Sequence, residues 1–150
     1  MSKPMKRIVA MGVFAFLLAA CAGERPKNLG VREGVLAPCP SSPNCVSSFA
    51  AEERHRIAPL AFTGDADTAF LRLKQVLVRR GDAAVIEERE GYLRVELRTR
   101  LFVDDAEFLL DRARQVVQVR SASRLGYSDL GKNRRRMEEI RAQFDAAGRP

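Results

Sequence analysis

A single histidine, three cysteines and no apolar run of the length that spans a bilayer limit what this 150-residue chain can do. A structural zinc site usually takes four ligands, and only His55 could join Cys39 and Cys45 in one. No G-x-S-x-G stretch occurs, so the serines lack a nucleophile elbow. No glycine-rich phosphate loop of Walker or Rossmann type is present. No internal repeat appears. These absences point away from cofactor-dependent and nucleophilic catalysis, so neither a cofactor nor a metal is expected and no residue is assigned a catalytic role.

The one sustained apolar run, Ile8 to Ala20, is too short for a bilayer span of about 20 residues. It follows Lys3, Lys6 and Arg7, which is the flank of an export signal. It ends in Leu18-Ala19-Ala20-Cys21, an aliphatic residue and two small ones before a thiol. That pattern suits a narrow peptidase subsite and a cysteine that carries diacylglycerol. An ordinary signal peptide with an incidental Cys21 is the alternative. Ala22 follows, and where envelopes sort lipoproteins by that residue, the lack of Asp there favours the outer membrane. The expected division is a signal peptide over 1–20, a lipidated tether over 21–38 and one domain over 39–150, facing the periplasm and held to the membrane by lipid.

Removing residues 1–20 takes three of the 26 basic residues, which leaves 23 against 19 acidic ones and a net charge of +4 rather than +7. That modest excess and the export signal set aside a nucleic-acid partner. The 130 residues left are enough for one domain with a modest core.

From Ala22 to Pro38, glycines and prolines lie among charges without a helical or strand period, as in a tether leading into a wrapped segment. Cys39-Pro-Ser-Ser-Pro-Asn-Cys45 follows. In an oxidising envelope this pair reads as a disulfide. Closing so short a loop stabilises by about 2.4 kcal/mol on the chain-entropy estimate, less any strain. A redox pair would more often have C-x-x-C spacing.

Beyond the clasp the pattern becomes regular. Ile57 to Phe62 is a short apolar strand. Asp65 is an expected N-cap, and Ala66, Ala69, Phe70, Leu73, Val76 and Leu77 give a helix one buried face before Gly81. The period then changes to two. Ala83 to Glu88 is a strand, Glu90-Gly91 a turn, and Tyr92 to Val103 a long strand with Leu93, Val95, Leu97, Thr99, Leu101 and Val103 on one side. Asp104-Asp105 is placed in a turn or bulge. Ala106 to Asp111 resumes the alternation, Arg112-Ala113-Arg114 joins a hairpin, and Gln115 to Ala122 is the last strand. A final helix is expected from about Leu130 to Phe144, with Met137, Ile140 and Phe144 on its apolar side. The order predicts an α+β fold: an antiparallel sheet of about five strands, two helices on one face, and a disulfide-clasped N-terminal segment before them.

Two blocks resemble the bacterial and plastid family called domain of unknown function 1499. The first is Asn28-Leu-Gly with Leu36-Ala-Pro-Cys-Pro-Ser-Ser-Pro-Asn-Cys-Val-Ser-Ser48. The second is Phe102-Val-Asp-Asp-Ala-Glu107, Arg120-Ser-Ala-Ser-Arg-Leu-Gly126, Asp129-Leu-Gly131 and Asn133-Arg134. Many members look like lipoproteins, which agrees with Cys21. The resemblance implies an architecture and brings no established activity.

The stretch from Arg120 to Met137 holds the densest set of recognition side chains. Arg124, Lys132, Arg134, Arg135 and Arg136 crowd a helix N-terminus, where the dipole disfavours cations and free amides favour an anion. A ligand site would use Arg120, Arg124, Asp129, Asn133 and Arg134, with Asp104 and Asp105 orienting the arginines. In a structural clasp, the same residues serve each other. Asp129 would then cap the helix and Asn133 tie loop to sheet. Arg134 and Arg135 would pair with Glu138 and Glu139, and Asp104, Asp105 and Glu107 would meet Arg120 or Arg124. His55, within Glu52-Glu-Arg-His-Arg56, reads as part of a solvated stretch. The reading is a lipid-anchored envelope protein that binds an anionic small ligand or an envelope protein. A carboxylate-dependent hydrolase using Asp104 and Asp105, and a purely structural envelope protein, are the alternatives. Adjacent strand residues face opposite ways, so the hydrolase needs a bulge there.

Overall fold

The computed structural model describes residues 23–149; Cys21 and the apolar run before it lie outside them. Five principal antiparallel strands form one sheet in the order β3 (Cys45–Ser47), β8 (Val116–Ser123), β7 (Val103–Asp111), β6 (Tyr92–Arg98) and β5 (Ala83–Arg89). A sixth, β4 (Leu60–Ala61), continues the β3 edge by pairing with the other half of β8, Leu60 opposite Val117. The helices α1 (Ala66–Arg79) and α2 (Lys132–Ala147) pack on one face. Upstream, β1 (Val31–Arg32) and β2 (Val35–Leu36) make a two-stranded ribbon. The predicted α+β sheet with two helices and a Cys39–Cys45 disulfide is what the chain forms.

Alternation accounts for the helix-side core. Leu93, Val95 and Leu97 of β6, Ala106 and Phe108 of β7, and Val117 and Val119 of β8 point to one side. Ala69, Leu73 and Leu77 of α1 and Met137, Ile140 and Phe144 of α2 meet them. Asp65 caps α1 as its position suggests, accepting from the Thr68 amide at 2.8 Å. The helix ends where Arg80 turns extended, without a left-handed cap at Gly81.

Three expectations change. The long strand from Tyr92 to Val103 is two strands, because the chain turns at 99–102. The Thr99 amide donates to the Phe102 carbonyl at 2.8 Å and its hydroxyl accepts from the Phe102 amide at 3.0 Å. Thr99, Leu101 and Val103 keep period two through the turn, which concealed it, while a side-chain-to-backbone bond competes with the ladder. Leu101 and Phe102 are left exposed at the tip. Asp104 and Asp105 are therefore not a turn or bulge; they lie inside β7, opposite Leu97 and Glu96, and face opposite sides of the sheet. Finally, α2 starts at Lys132 rather than Leu130. Leu130 (φ 53°) and Gly131 (φ 76°) are left-handed and cannot continue a right-handed helix.

Residues 23–38 lie across the sheet's second face as a strap. Arg25 donates to Glu96, the Pro26 carbonyl accepts from Arg94, and the Gly30 amide donates to Glu107 at 2.7 Å. Gly30 has φ 111°, a conformation that side-chain-bearing residues rarely adopt, and it lets that amide reach the carboxylate. Leu36 is buried. The segment expected as a tether is thus packed against the domain.

Candidate functional site

On the second sheet face, side chains of β6, β7 and β8 alternate with the core residues and carry charge. Glu96, Asp105 and Glu107 stand among Arg94, Arg120 and Arg124, and the strap closes over them. Cross-strand register sets the partners. Glu107 lies opposite both Arg94 and Arg120, and Glu96 lies opposite Asp105. Two carboxylates side by side repel, and Arg124 resolves this. Its Nε and Nη2 hold both oxygens of Asp105 at 2.7 and 2.9 Å, and Nη2 also reaches Glu96 at 2.5 Å.

The protonation states follow. Burial opposes ionisation of Glu96, but hydrogen bonds and charge from Arg124 and Arg25 bring its carboxyl from 4.5 down to about 2. The Asp105 hydrogen bond raises Arg124 against burial, with Glu96 adding to it. Burial raises the Tyr92 phenol, as does Glu107, whose carboxylate accepts its proton at 2.8 Å. Arg120 is the least satisfied member. Burial lowers its guanidinium, which stands 3.6 Å from Glu107 and 3.4 Å from the Pro38 carbonyl, and its Nε has no protein partner.

Asn133 forms a second knot on the helix side. It accepts from the Ser121 hydroxyl at 2.5 Å and donates to the Asn44 carbonyl, to Ser123 and to Asp129. The carboxylate of Asp129 takes the Asn133 amide at 2.7 Å and the Gly131 amide at 3.0 Å. It thus does the capping work expected of it, although Gly131 occupies the cap position. Arg134 donates to the Arg54 and Arg56 carbonyls rather than to Glu138. Arg135 donates to the Leu130 carbonyl, and Glu139 meets Arg80 instead. Asp104 pairs with Arg136 at 2.5 Å, on the opposite side of the sheet from Asp105. Arg120, Arg124 and Asp105 therefore share one cluster, Asp129, Asn133 and Arg134 gather around the start of α2, and Asp104 joins neither.

Sequence reasoning passed over Glu96, Arg94, Tyr92 and Arg25, and placed Arg136 only among the cations crowding the start of the last helix. The usable signal was opposite charges at period two on neighbouring strands, but alternation alone does not tell a covered polar face from a wet one. His55 was misplaced outright. Its neighbours Glu52, Glu53, Arg54 and Arg56 are exposed, yet His55 is 3 % exposed and its Nδ1 lies 2.8 Å from the Cys45 carbonyl. A carbonyl only accepts, so Nδ1 donates and Nε2 is left buried with no protein partner. His55 lines a mostly apolar cavity of about 440 Å³ with Val35, Leu36, Pro38, Phe49 and Ala50. Among the described residues no group of three or more His, Cys, Asp or Glu is placed to hold a metal ion, and no helix is long and apolar enough to cross a membrane.

The sequence matches the family described as "protein of unknown function (DUF1499)" over residues 35–144, and the chain belongs to that family. No curated protein and no solved structure matches it.

Two outcomes follow from the charged face. Arg124→Ala strips buried Asp105 of its two-pronged partner, leaving it Arg94 at 3.4 Å, and takes one of three guanidiniums from Glu96; it is expected to cost about 3–5 kcal/mol in a denaturant titration. A free ligand-binding arginine would cost far less. Glu96 contributes stability that is complete above pH 4.5 and is lost as pH falls through its folded value of about 2. Unfolding free energy measured from pH 6 to pH 2 should fall for the wild type and flatten in Glu96→Gln; parallel curves would refute the assignment.

Proposed function

We propose, taking that membership as the premise, that the protein is a lipid-anchored binding module of the bacterial cell envelope. Residues 1–20 direct export, Cys21 carries the lipid, and the domain faces the periplasm, with the outer membrane favoured by Ala22. The basic flank, the apolar run and Leu18-Ala-Ala-Cys21 support this reading together. The strap adds a physical reason for it, since the residues just after Cys21 are part of the domain's packing.

The observation that carries the binding role is His55. A buried imidazole nitrogen without a partner is costly unless something supplies one, and here His55 is among the residues that line an apolar cavity large enough for a small ligand. In the neutral ring Nε2 accepts, so the matching ligand is an apolar molecule bearing an O–H donor, such as a long-chain alcohol or a protonated fatty acid. The arginine loop is the weaker candidate for recognition. Arg124 and Arg134 already have carboxylate or carbonyl partners, which favours the clasp over an anion site. The separation of Asp104 from Asp105 likewise disfavours a hydrolase that uses them together.

Thermal unfolding of the protein with straight-chain alcohols, fatty acids and inorganic phosphate tests the role. At a ligand concentration one hundred times Kd, binding stabilises by about 2.7 kcal/mol. An O–H-bearing apolar ligand should raise Tm for the wild type and not for His55→Phe. A rise with phosphate that vanishes in Arg134→Ala would restore the anion site, and no rise with any compound would remove the binding role. In the same preparations Cys21→Ser should move from the membrane to the soluble fraction; its retention in the membrane would contradict the lipid anchor.

A further inference from the structure

One end of the sheet gathers apolar side chains that the core does not use. The turn between β6 and β7 and the loop between β8 and α2 lie side by side there, joined where the Arg124 amide donates to the Val103 carbonyl. Leu101 is 62 % exposed, Phe102 51 %, Leu125 43 %, Tyr127 74 % and Leu130 84 %. Scattered exposed apolar residues are ordinary, but five at one end form a patch. Phe102, Leu125 and Leu130 line a single depression with Lys132, which confirms that the two loops present one surface. Lys132 also borders a polar hollow with Arg98 and Arg135. The acids nearest that end are occupied. Asp104 and Asp82 pair with Arg136, Glu139 pairs with Arg80, and Asp129 holds amides. The surface offered is apolar at its centre and cationic at its side.

A second, independent observation concerns the strap. Gly23 lies against Arg124 and Leu125 so closely that a Cβ there would stand 3.0 Å from the side chain of each. Only Ala22 separates Gly23 from Cys21, so chain length alone keeps Cys21 within about 7 Å of it. Any lipid on Cys21 therefore starts beside the apolar patch.

Resting on the lipid anchor proposed above, we infer that this end is a membrane-docking surface. Leu101, Phe102, Leu125, Tyr127 and Leu130 enter the interfacial layer of the bilayer that holds Cys21, while Arg100 and Lys132 meet anionic phospholipid headgroups. Aromatic and aliphatic side chains flanked by Lys and Arg are the composition such an interface favours. A protein partner would also accept an apolar patch. The short chain to Cys21 and the cationic border select the lipid surface, because the anchor holds this end, rather than another, next to the headgroups. Docking points the opposite end, with the Glu90-Gly91 and Arg112–Gln115 turns, away from the membrane. Val35 and Phe49 of the His55 cavity also line a groove beside those turns, so the cavity stays clear of the bilayer.

The sequence contains no tryptophan, which makes a single introduced one a clean probe. The acylated full-length protein would be reconstituted as Phe102→Trp and, for comparison, as Ala113→Trp at the far end. The vesicles would be phosphatidylcholine with or without phosphatidylglycerol, with brominated acyl chains as quencher. Co-flotation with vesicles, lost in Cys21→Ser, reports the anchor separately. The expected result is a shorter-wavelength emission for Phe102→Trp and quenching several-fold stronger than for Ala113→Trp, with the difference larger on anionic vesicles. Equal quenching of the two probes in protein that co-floats would overturn the docking surface and leave the anchor intact. Failure to co-float would overturn the anchor and the docking surface together.

Discussion

Three carboxylates, Glu96, Asp105 and Glu107, stand on one sheet face out of reach of bulk water, and the rest of the structure answers to them. A buried carboxylate is tolerated only when paired and hydrogen-bonded, and the sheet supplies arginines at period two on the neighbouring strands. Those arginines cannot finish the task, since Glu107 still needs an amide and Glu96 is shared among three guanidiniums. The strap adds Arg25, the Gly30 amide and two carbonyls. A segment that reads in the sequence as a tether is thus committed to the domain. Hydrophobic burial on the helix side stabilises the sheet, while the charged side decides what must cover it.

That commitment has mechanical consequences. A long free tether would let the domain sample many orientations above a membrane. A strap that packs from Gly23 onward holds the proposed anchor near one end of the sheet. The disulfide between Cys39 and Cys45 fastens the strap's other end beside β3. His55 lies below this clasp, bound to the Cys45 carbonyl. The clasp, the strap and the cavity wall are therefore one assembly, and loosening the strap would open the cavity as well as expose the charges.

What the sequence disclosed depended on whether a pattern had one physical cause. The face of α1 was legible because Ala69, Leu73 and Leu77 repeat at helical spacing and Asp65 caps them. The hairpins around Gly91 and Arg112 were legible from turn chemistry. The break at Thr99 was not, because alternation continued through it while a hydroxyl took over the turn's hydrogen bonds. Glu96 and Arg94 were passed over because nothing in residues 23–38 has a period that announces a covering layer. His55 was misread because its neighbours are charged, whereas its own ring turns inward to the Cys45 carbonyl, ten residues earlier in the chain. Of the residues around α2, Asp129 and Asn133 were legible as clasp members, since their short polar side chains suit backbone groups at a helix start.

The claim on which these relations rest is that the strap is as much part of the fold as the strands beneath it. Native-state amide hydrogen exchange at Gly30 tests it most directly, because that amide is bound to Glu107. If the strap is integral, Gly30 opens with a free energy close to those of Ala106 and Val119 in the central strands. Exchange at Gly30 near the rate of an unstructured peptide, with Ala106 and Val119 still protected, would contradict the account: the strap would be a tether, and the buried charges would have some other cover.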